Sequence, residues 1–414
     1  MRRTVDIDEE WRARLRNLRQ QRGLPLRDLG RRALSSKTQI SDFETGKASP
    51  TEETVRLLDD ALGASGELIR LAQTVTVPRR QAVQLGLAAM AGGLAPGPAA
   101  HRTGRVGQGD ITRLRRRTVR LRRLDDYVGG AGTYQLYLGE VGATESLIEH
   151  GNYTGTTGQQ LLRILAEQAQ QAGWAAFDAG WQTEAERLYR LSLAAAEQAH
   201  DTSLTGNALA LLAYQLLALR RPATEVARAS CEAIGGETPA SVRALLVERC
   251  AWAMAVGGEC DAALSMMDDA AAAVVDAGAD EPDWSAWVNA TEVEIMRGRC
   301  WSVLRRPVRA ISALEGTLSA MPDTEARDKA LYMSWLADAY VDAGEPEHAE
   351  TLASQALGLA DGVASTRPWL RLAAVADRLP GTSGKGLKAQ LAATRPDVPL
   401  SPAGSTPRTP ELRA

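Results

Sequence analysis

Ser35-Ser36-Lys37-Thr38-Gln39-Ile40-Ser41-Asp42-Phe43-Glu44-Thr45-Gly46 is the stretch on which the reading of this chain turns. Ser36 stands three residues before Gln39, the spacing of a capping box that satisfies free amides at a helix start. Ile40 and Phe43 fall at i and i+3 and make one narrow apolar stripe. Lys37, Thr38, Gln39, Ser41 and Asp42 face elsewhere with hydrogen-bonding groups, and Thr45-Gly46 ends the helix. A short helix anchored by two apolar residues and otherwise polar is suited to a DNA major groove. A merely solvated surface helix would share its composition; the neighbouring sequence argues against that.

Upstream, Trp11, Leu15 and Leu18 recur at helical spacing before Gly23, and Leu26, Leu29 and Ala33 repeat the pattern. Downstream, Ser49-Pro50-Thr51-Glu52 reads as a Ser cap, a first-turn Pro and a Glu closing the box. Val55, Leu58 and Leu62 form the buried face of a fourth helix ended by Gly63, and Leu68, Ile69 and Leu71 supply a short fifth. Residues 6–73 thus predict a compact, modest five-helix domain.

This pattern resembles the Cro/repressor-type helix-turn-helix family, the xenobiotic-response-element class. The carrying residues are Leu18-Arg19, Arg22-Gly23, Leu26-Arg27-Asp28-Leu29 with Ala33, Ser36 to Gly46, and Pro50. The resemblance implies that Lys37, Thr38 and Asp42 face base edges with Gln39 near them, and that Arg27, Ser36, Ser41 and Lys47 face phosphates. It also implies a structural pair, Arg19 with Glu44, tying the first helix to the end of the third. Two departures stand out: Leu26 where many members keep Gln, and Gly30 where Ala is usual, which loosens the second helix.

A net charge of -3 over 414 residues conceals an asymmetry. Residues 1–123 hold 25 Lys and Arg against 13 Asp and Glu, and the remainder 23 against 38. A basic front and an acidic back fit a nucleic-acid-binding head on a body that does not touch nucleic acid. Residues 74–110 read as a flexible linker. Arg79-Arg80 and the small apolar run of residues 85–95 imitate a twin-arginine export signal, but an internal position behind a DNA-binding head speaks against export. Seven arginines then crowd into residues 113–123, with Ile111, Leu114, Val119, Leu121 and Leu124 interleaved. Such a helix rests on phosphates or pairs with the acidic body; the charge asymmetry favours pairing.

Residues 111–379 form a train of amphipathic helices. Gly173, Ala176, Gly180, Ala185 and Tyr189 make one unit; Met333, Leu336, Ala337, Tyr340, Gly344, Ala349, Ala353 and Ala356 make another, the best instance of a resemblance to tetratricopeptide repeats. Further units place Ala262 with Gly257, and Ala310 with Trp301 and Leu314. Alanines 185, 262, 310 and 349 are 77, 48 and 39 residues apart, the widest gap holding a degenerate unit in which Glu225 or Val226 replaces the expected Ala. These spacings exceed the roughly 34-residue norm, so an altered helical-hairpin solenoid with a concave binding surface is expected. Trp174, Trp181, Tyr214, Trp252, Trp284, Trp287, Trp301, Trp335 and Tyr340 could line it, although for each singly core packing is the favoured role. Residues 380–414 read as a disordered tail.

Cys231, Cys250, Cys260 and Cys300 are too dispersed for a metal motif and predict reduced, buried thiols. No run reaches the roughly 20 apolar residues of a membrane span. Zinc-protease, nucleophile-elbow and phosphate-loop motifs are missing, so no metal, cofactor or enzymatic activity is expected. The expectation is an all-α cytoplasmic regulator that binds double-stranded DNA, is a homodimer, and holds a signalling peptide or protein in its repeat groove, as the resemblance to helix-turn-helix regulators with helical repeats implies. An interaction adaptor without specific DNA binding is the alternative.

Overall fold

In a computed structural model the described residues are 9–48, 50–64, 67–69, 105–276, 278, 281–361 and 363–394. They are almost entirely helical, as expected, and the chain divides into two compact units, residues 1–93 and 94–414.

The first unit contains α1 (Glu9–Gln21), α2 (Leu26–Arg32), α3 (Lys37–Thr45) and α4 (Glu52–Leu62), with residues 67–69 again helical. Trp11, Leu15, Leu18, Leu29, Ala33, Ile40, Phe43, Val55, Leu58, Leu62 and Leu68 converge in one core. Each fully buried Leu or Ile among them contributes about 1.5–3 kcal/mol. The end of the unit is fastened to α1: Trp11 Nε1 donates to the Leu68 carbonyl at 2.9 Å, and Arg14 grips Glu67 through two bonds of 2.9 and 2.8 Å. One expectation is corrected. The cap of α4 is Thr51, whose hydroxyl accepts from Thr54 N at 3.2 Å, not a box opened by Ser49. Pro50 is buried immediately before that cap, so the helix starts two residues later than the Ser-Pro pair suggests. Leu71 and most of residues 74–110, including the twin arginines, lie outside the described residues.

The second unit is a succession of helical hairpins. In chain order they are α5 (Gln108–Val128) with α6 (Gly130–His150), α7 (Gly155–Asp178) with α8 (Gln182–Gln198), α9 (Thr202–Ala218) with α10 (Thr224–Glu232), and α11 (Ala240–Val256) with α12 (Cys260–Val275). Then come α13 (Ala290–Val303) with α14 (Pro307–Ala320), α15 (Ala326–Ala343) with α16 (Pro346–Ala360), and α17 (Arg367–Arg378) with α18 (Gly381–Ala393). From α7 onward the first helix of each hairpin packs on the first helix of the next.

The repeat has a common turn. Gly180, Gly258, Arg305 and Gly344 all have positive φ, and each precedes a fully buried alanine by five residues: Ala185, Ala263, Ala310 and Ala349. The expected pair Gly257 and Ala262 is therefore one residue out of register. In the α9–α10 hairpin the positive-φ residue is Arg220, but α10 starts four residues later instead of two. The buried alanine there is Ala227, which explains why Glu225 stood where an alanine was expected. Small residues let the paired helices approach: a Cβ on Gly173 would lie 2.6 Å from the Tyr189 ring.

The Arg-rich segment is part of α5, with Ile111, Leu114, Leu121 and Leu124 buried, and it pairs with acidic residues of the body, the reading the charge asymmetry favoured: Arg117 pairs with Glu140, and Arg122 with Glu167 and Asp283. Two further expectations change. Residues 381–393 are helix and not disordered tail, because Gly384, Leu387 and Leu391 form a buried stripe and Trp369 Nε1 donates to the Leu391 carbonyl at 3.0 Å. Finally, the concave face of the stack is partly closed off. Its two ends meet: Ser365 Oγ donates to Asp178 Oδ1 at 2.8 Å, Thr366 N to the Asp178 carbonyl at 2.9 Å, and Arg327 Nη1 to Asp125 Oδ2 at 2.9 Å. The inner helices consequently wall a cavity of about 1580 Å³.

Candidate functional site

In the head, α3 begins with the anticipated reciprocal cap. Ser36 N donates to Gln39 Oε1 at 2.8 Å, and Gln39 N donates to Ser36 Oγ at 3.1 Å. Gly46 closes the helix in the left-handed region, φ 75°. Ile40, Phe43 and Glu44 are buried, so at 100° per residue the opposite side of the helix faces outward. Lys37, Thr38 and Gln39 are exposed, and Ser41 and Asp42 half-buried. Around the helix the outward order is Lys37, Ser41, Thr45, Thr38, Asp42, with Gln39 at the edge and its amide oxygen turned back into the cap. Thr45 sits in the middle of this face and is exposed. Sequence reasoning treated it only as a helix end, although its spacing of four from Ser41 and seven from Thr38 signals a shared face. Arg27 is exposed in the first turn of α2, and Lys47 is exposed just beyond Gly46.

The face is held by a buried fork. Arg19 Nε and Nη2 bond Glu44 Oε1 and Oε2 at 2.6 and 2.9 Å, while Arg19 Nη1 donates to the Leu24 carbonyl at 3.1 Å. Arg16 Nη2 adds a 2.5 Å bond to the Glu44 carbonyl. The hydrogen bond to Glu44 raises the Arg19 pKa. The connection from α2 to α3 is tight. A Cβ on Gly30 would come within 2.6 Å of the Ser35 carbonyl oxygen, and Leu34 takes a left-handed φ of 51° while 82% exposed. Gly30 is thus a close-approach residue rather than a simple loosening of α2.

The body carries a second constellation that the sequence reading found only in part. Along the inner helices, aromatic rings and guanidiniums alternate. Trp174 and Phe177 of α7 neighbour Tyr214 of α9, centroids 5.7 and 5.6 Å apart; Tyr214 neighbours Trp252 of α11 at 4.8 Å, and Trp252 meets Trp335 of α15 at 6.2 Å. Arg367 lies over Trp174 at 4.6 Å, Arg249 over Tyr214 at 4.7 Å, Arg299 over Trp252 at 4.2 Å and Arg371 over Trp335 at 3.6 Å. Such cation–π contacts are worth roughly 2 kcal/mol when desolvated. Tyr214 Oη accepts from Arg299 Nη2 at 3.1 Å and Arg367 Nη2 at 2.8 Å. Burial opposes ionisation of Tyr214, but Arg299, Arg367 and Arg249 together bring its pKa down to about 7.

Of the nine aromatics singled out in the sequence, Trp174, Tyr214, Trp284 and Trp287 line the cavity. Trp252 and Trp335 stand behind Arg299. Trp181 packs edge-on against Tyr134, Trp301 against Ala310 and Ala339, and Tyr340 on His348, which makes these three packing residues. The arginines were missed because they lie on three helices far apart in sequence; the available signal was charge within otherwise apolar helix, as at Arg249 in Leu245-Leu246-Val247-Glu248-Arg249-Cys250-Ala251-Trp252. Among the described residues the four cysteines are free, no His/Cys/Asp/Glu group could hold a metal, and no helix is long and apolar enough to cross a membrane.

None of the curated proteins matches the chain. Among solved structures, the crystal structure of Bacillus thuringiensis PlcR in complex with the peptide PapR7 and DNA aligns over 90% of this chain and 99% of that chain, at 10% identity and a TM-score of 0.32. Residues 12–72 match the family described as helix-turn-helix domain. The N-terminal unit is a helix-turn-helix domain, the fold of a DNA-binding head.

Proposed function

We propose that this protein is a sequence-specific transcriptional regulator, without catalytic activity, acting in the cytoplasm. The observation that carries the reading is the outward face of α3. Lys37, Ser41, Thr45, Thr38 and Asp42 lie side by side on a helix seated by Ile40, Phe43 and the Arg19–Glu44 fork. In this reading Lys37, Thr38 and Asp42 read base edges with Gln39 beside them, and Arg27, Ser36, Ser41 and Lys47 hold phosphates. Ser36 is fit for this, because its oxygen accepts within the cap and its proton remains free to donate.

The tetratricopeptide-like body is proposed as the sensor and as the element that pairs two copies, so that two heads meet two half-sites. The walled cavity supports ligand binding, since a peptide or a small partner segment fits its volume. PlcR, which has been crystallised with a peptide and DNA, offers a parallel for such a combination.

The test is a selection of preferred duplexes by the full chain, followed by titration. Lys37→Ala or Thr38→Ala is expected to weaken the preferred duplex by about 1–3 kcal/mol and to change base preference. Salt-sensitive binding that is equal for every duplex would overturn the reading in favour of an adaptor.

A further inference from the structure

The guanidiniums in the body are short of acceptors. Arg299 is 2% exposed, its Nη2 donates to Tyr214, and its Nε has no partner. No carboxylate lies within ion-pair distance of it among the described residues, whereas Arg327 has Asp125 and Asp328, and Arg122 has Glu167 and Asp283. Arg249 Nη1 is buried and unbonded, with Glu248 and Glu292 only at 3.6 and 3.9 Å. Burial pushes the Glu248 carboxyl up to about 8, so near neutral pH it is largely protonated and a poor counter-ion. Arg367 Nη1 is likewise unbonded, 3.7 Å from Asp178 Oδ1. The rings of Trp174, Tyr214 and Trp252 cover guanidinium faces, but a ring cannot accept from the in-plane N–H edges. Buried donors left open in this way are costly unless another molecule supplies the acceptor.

We propose that the cavity is an anion site in which Arg249, Arg299 and Arg367, gathered around Tyr214, take the carboxylate of a ligand whose aromatic or apolar remainder lies against Trp174 and Trp287. Three guanidiniums from α11, α13 and α17 converge there, and all three line the cavity with the two tryptophans. Planar, forked donors match a carboxylate better than any neutral group. This deepens the reading of the body as a ligand-binding sensor and rests on it. The carboxylate has two sources, a free organic acid or the C-terminus of a peptide, and the experiment separates them.

Calorimetric titration of the full chain compares phenylacetate with phenylacetamide, and the peptide Ala-Ala-Ala-Phe bearing a free C-terminus with the same peptide amidated. At least one acid is expected to bind about tenfold or more tightly than its amide, and the pair that shows the difference identifies the source. Arg299→Gln and Arg367→Gln are expected to erase the difference. Should either variant fail to fold, the acid and amide comparison on the unaltered chain still decides. Equal binding of acid and amide, or binding of neither pair, overturns the proposal. The same titrations repeated with a preferred duplex present separate the two readings. Acid-selective binding that leaves duplex affinity unchanged supports the anion site and overturns sensing; equal acid and amide binding that shifts duplex affinity overturns the anion site and keeps sensing.

Discussion

Head and body use polar side chains in opposite ways. In the head, donors and acceptors stand on the outside of a single nine-residue helix, and the buried ionic pair of Arg19 with Glu44 orients that helix. In the body, the ionic groups of interest, Arg249 to Arg367, point inward from helices far apart in sequence, and rings stand between them. An outward face suits a highly charged, extended partner such as DNA, whose contacts are screened by salt. An inward cluster strengthens each charge by excluding water and restricts the partner to what the cavity admits.

Breaking the head's buried pair should give the largest effect. Glu44→Ala leaves the largely buried Arg19 without its acceptor, and the head is expected to lose about 3–5 kcal/mol, enough to unfold a domain of this size. Calorimetry should show the head's transition moving while that of the body holds. Gly30→Ala drives a methyl into the Ser35 carbonyl, with an expected loss of about 1–3 kcal/mol in the same transition.

Tyr214→Phe probes the body. The arginines hold the folded-state pKa of Tyr214 near 7, below the ordinary 10, so its ionisation adds stability that is full above pH 10 and lost as pH falls through about 7. Wild type should therefore gain on the variant by up to about 1.4 kcal/mol per pH unit between those values, read from denaturant unfolding at several pH values. A difference independent of pH would show that the guanidiniums do not act on this phenol. The smallest effect is a gain: Leu34→Gly relieves a left-handed, largely exposed leucine and should stabilise the head by about 1 kcal/mol.

The same contrast explains what could be read in advance. Caps, stop glycines and i, i+3 stripes are local signals, and the α3 cap, its Gly46 stop and the core of the head were legible from them. The cap of α4 was displaced only because Thr51, two residues past Ser49, offers an equally good oxygen. In the body, the small-residue spacing located five hairpins, yet a one-residue error at Ala262 and a two-residue insertion before α10 hid part of the register. The last helix was overlooked because Gly384, Leu387 and Leu391 are sparse among Ser, Thr, Gly and Lys. The Arg–Tyr214 cluster was illegible for a deeper reason. Its members share no helix, and only the curvature accumulated over successive hairpins brings Arg367 to Trp174 and Tyr214.

That curvature ends at Asp178, which receives Gly130 N, Ser365 Oγ and Thr366 N from opposite ends of the body. A linear array of repeats frays, because its terminal units open without disturbing the middle. An array whose ends are joined has no terminal unit to lose, and opening any hairpin must also disturb the junction. Amide exchange should accordingly be slow and nearly uniform from α7 to α17, and Asp178→Ala should convert it to a gradient that is fastest at the two ends.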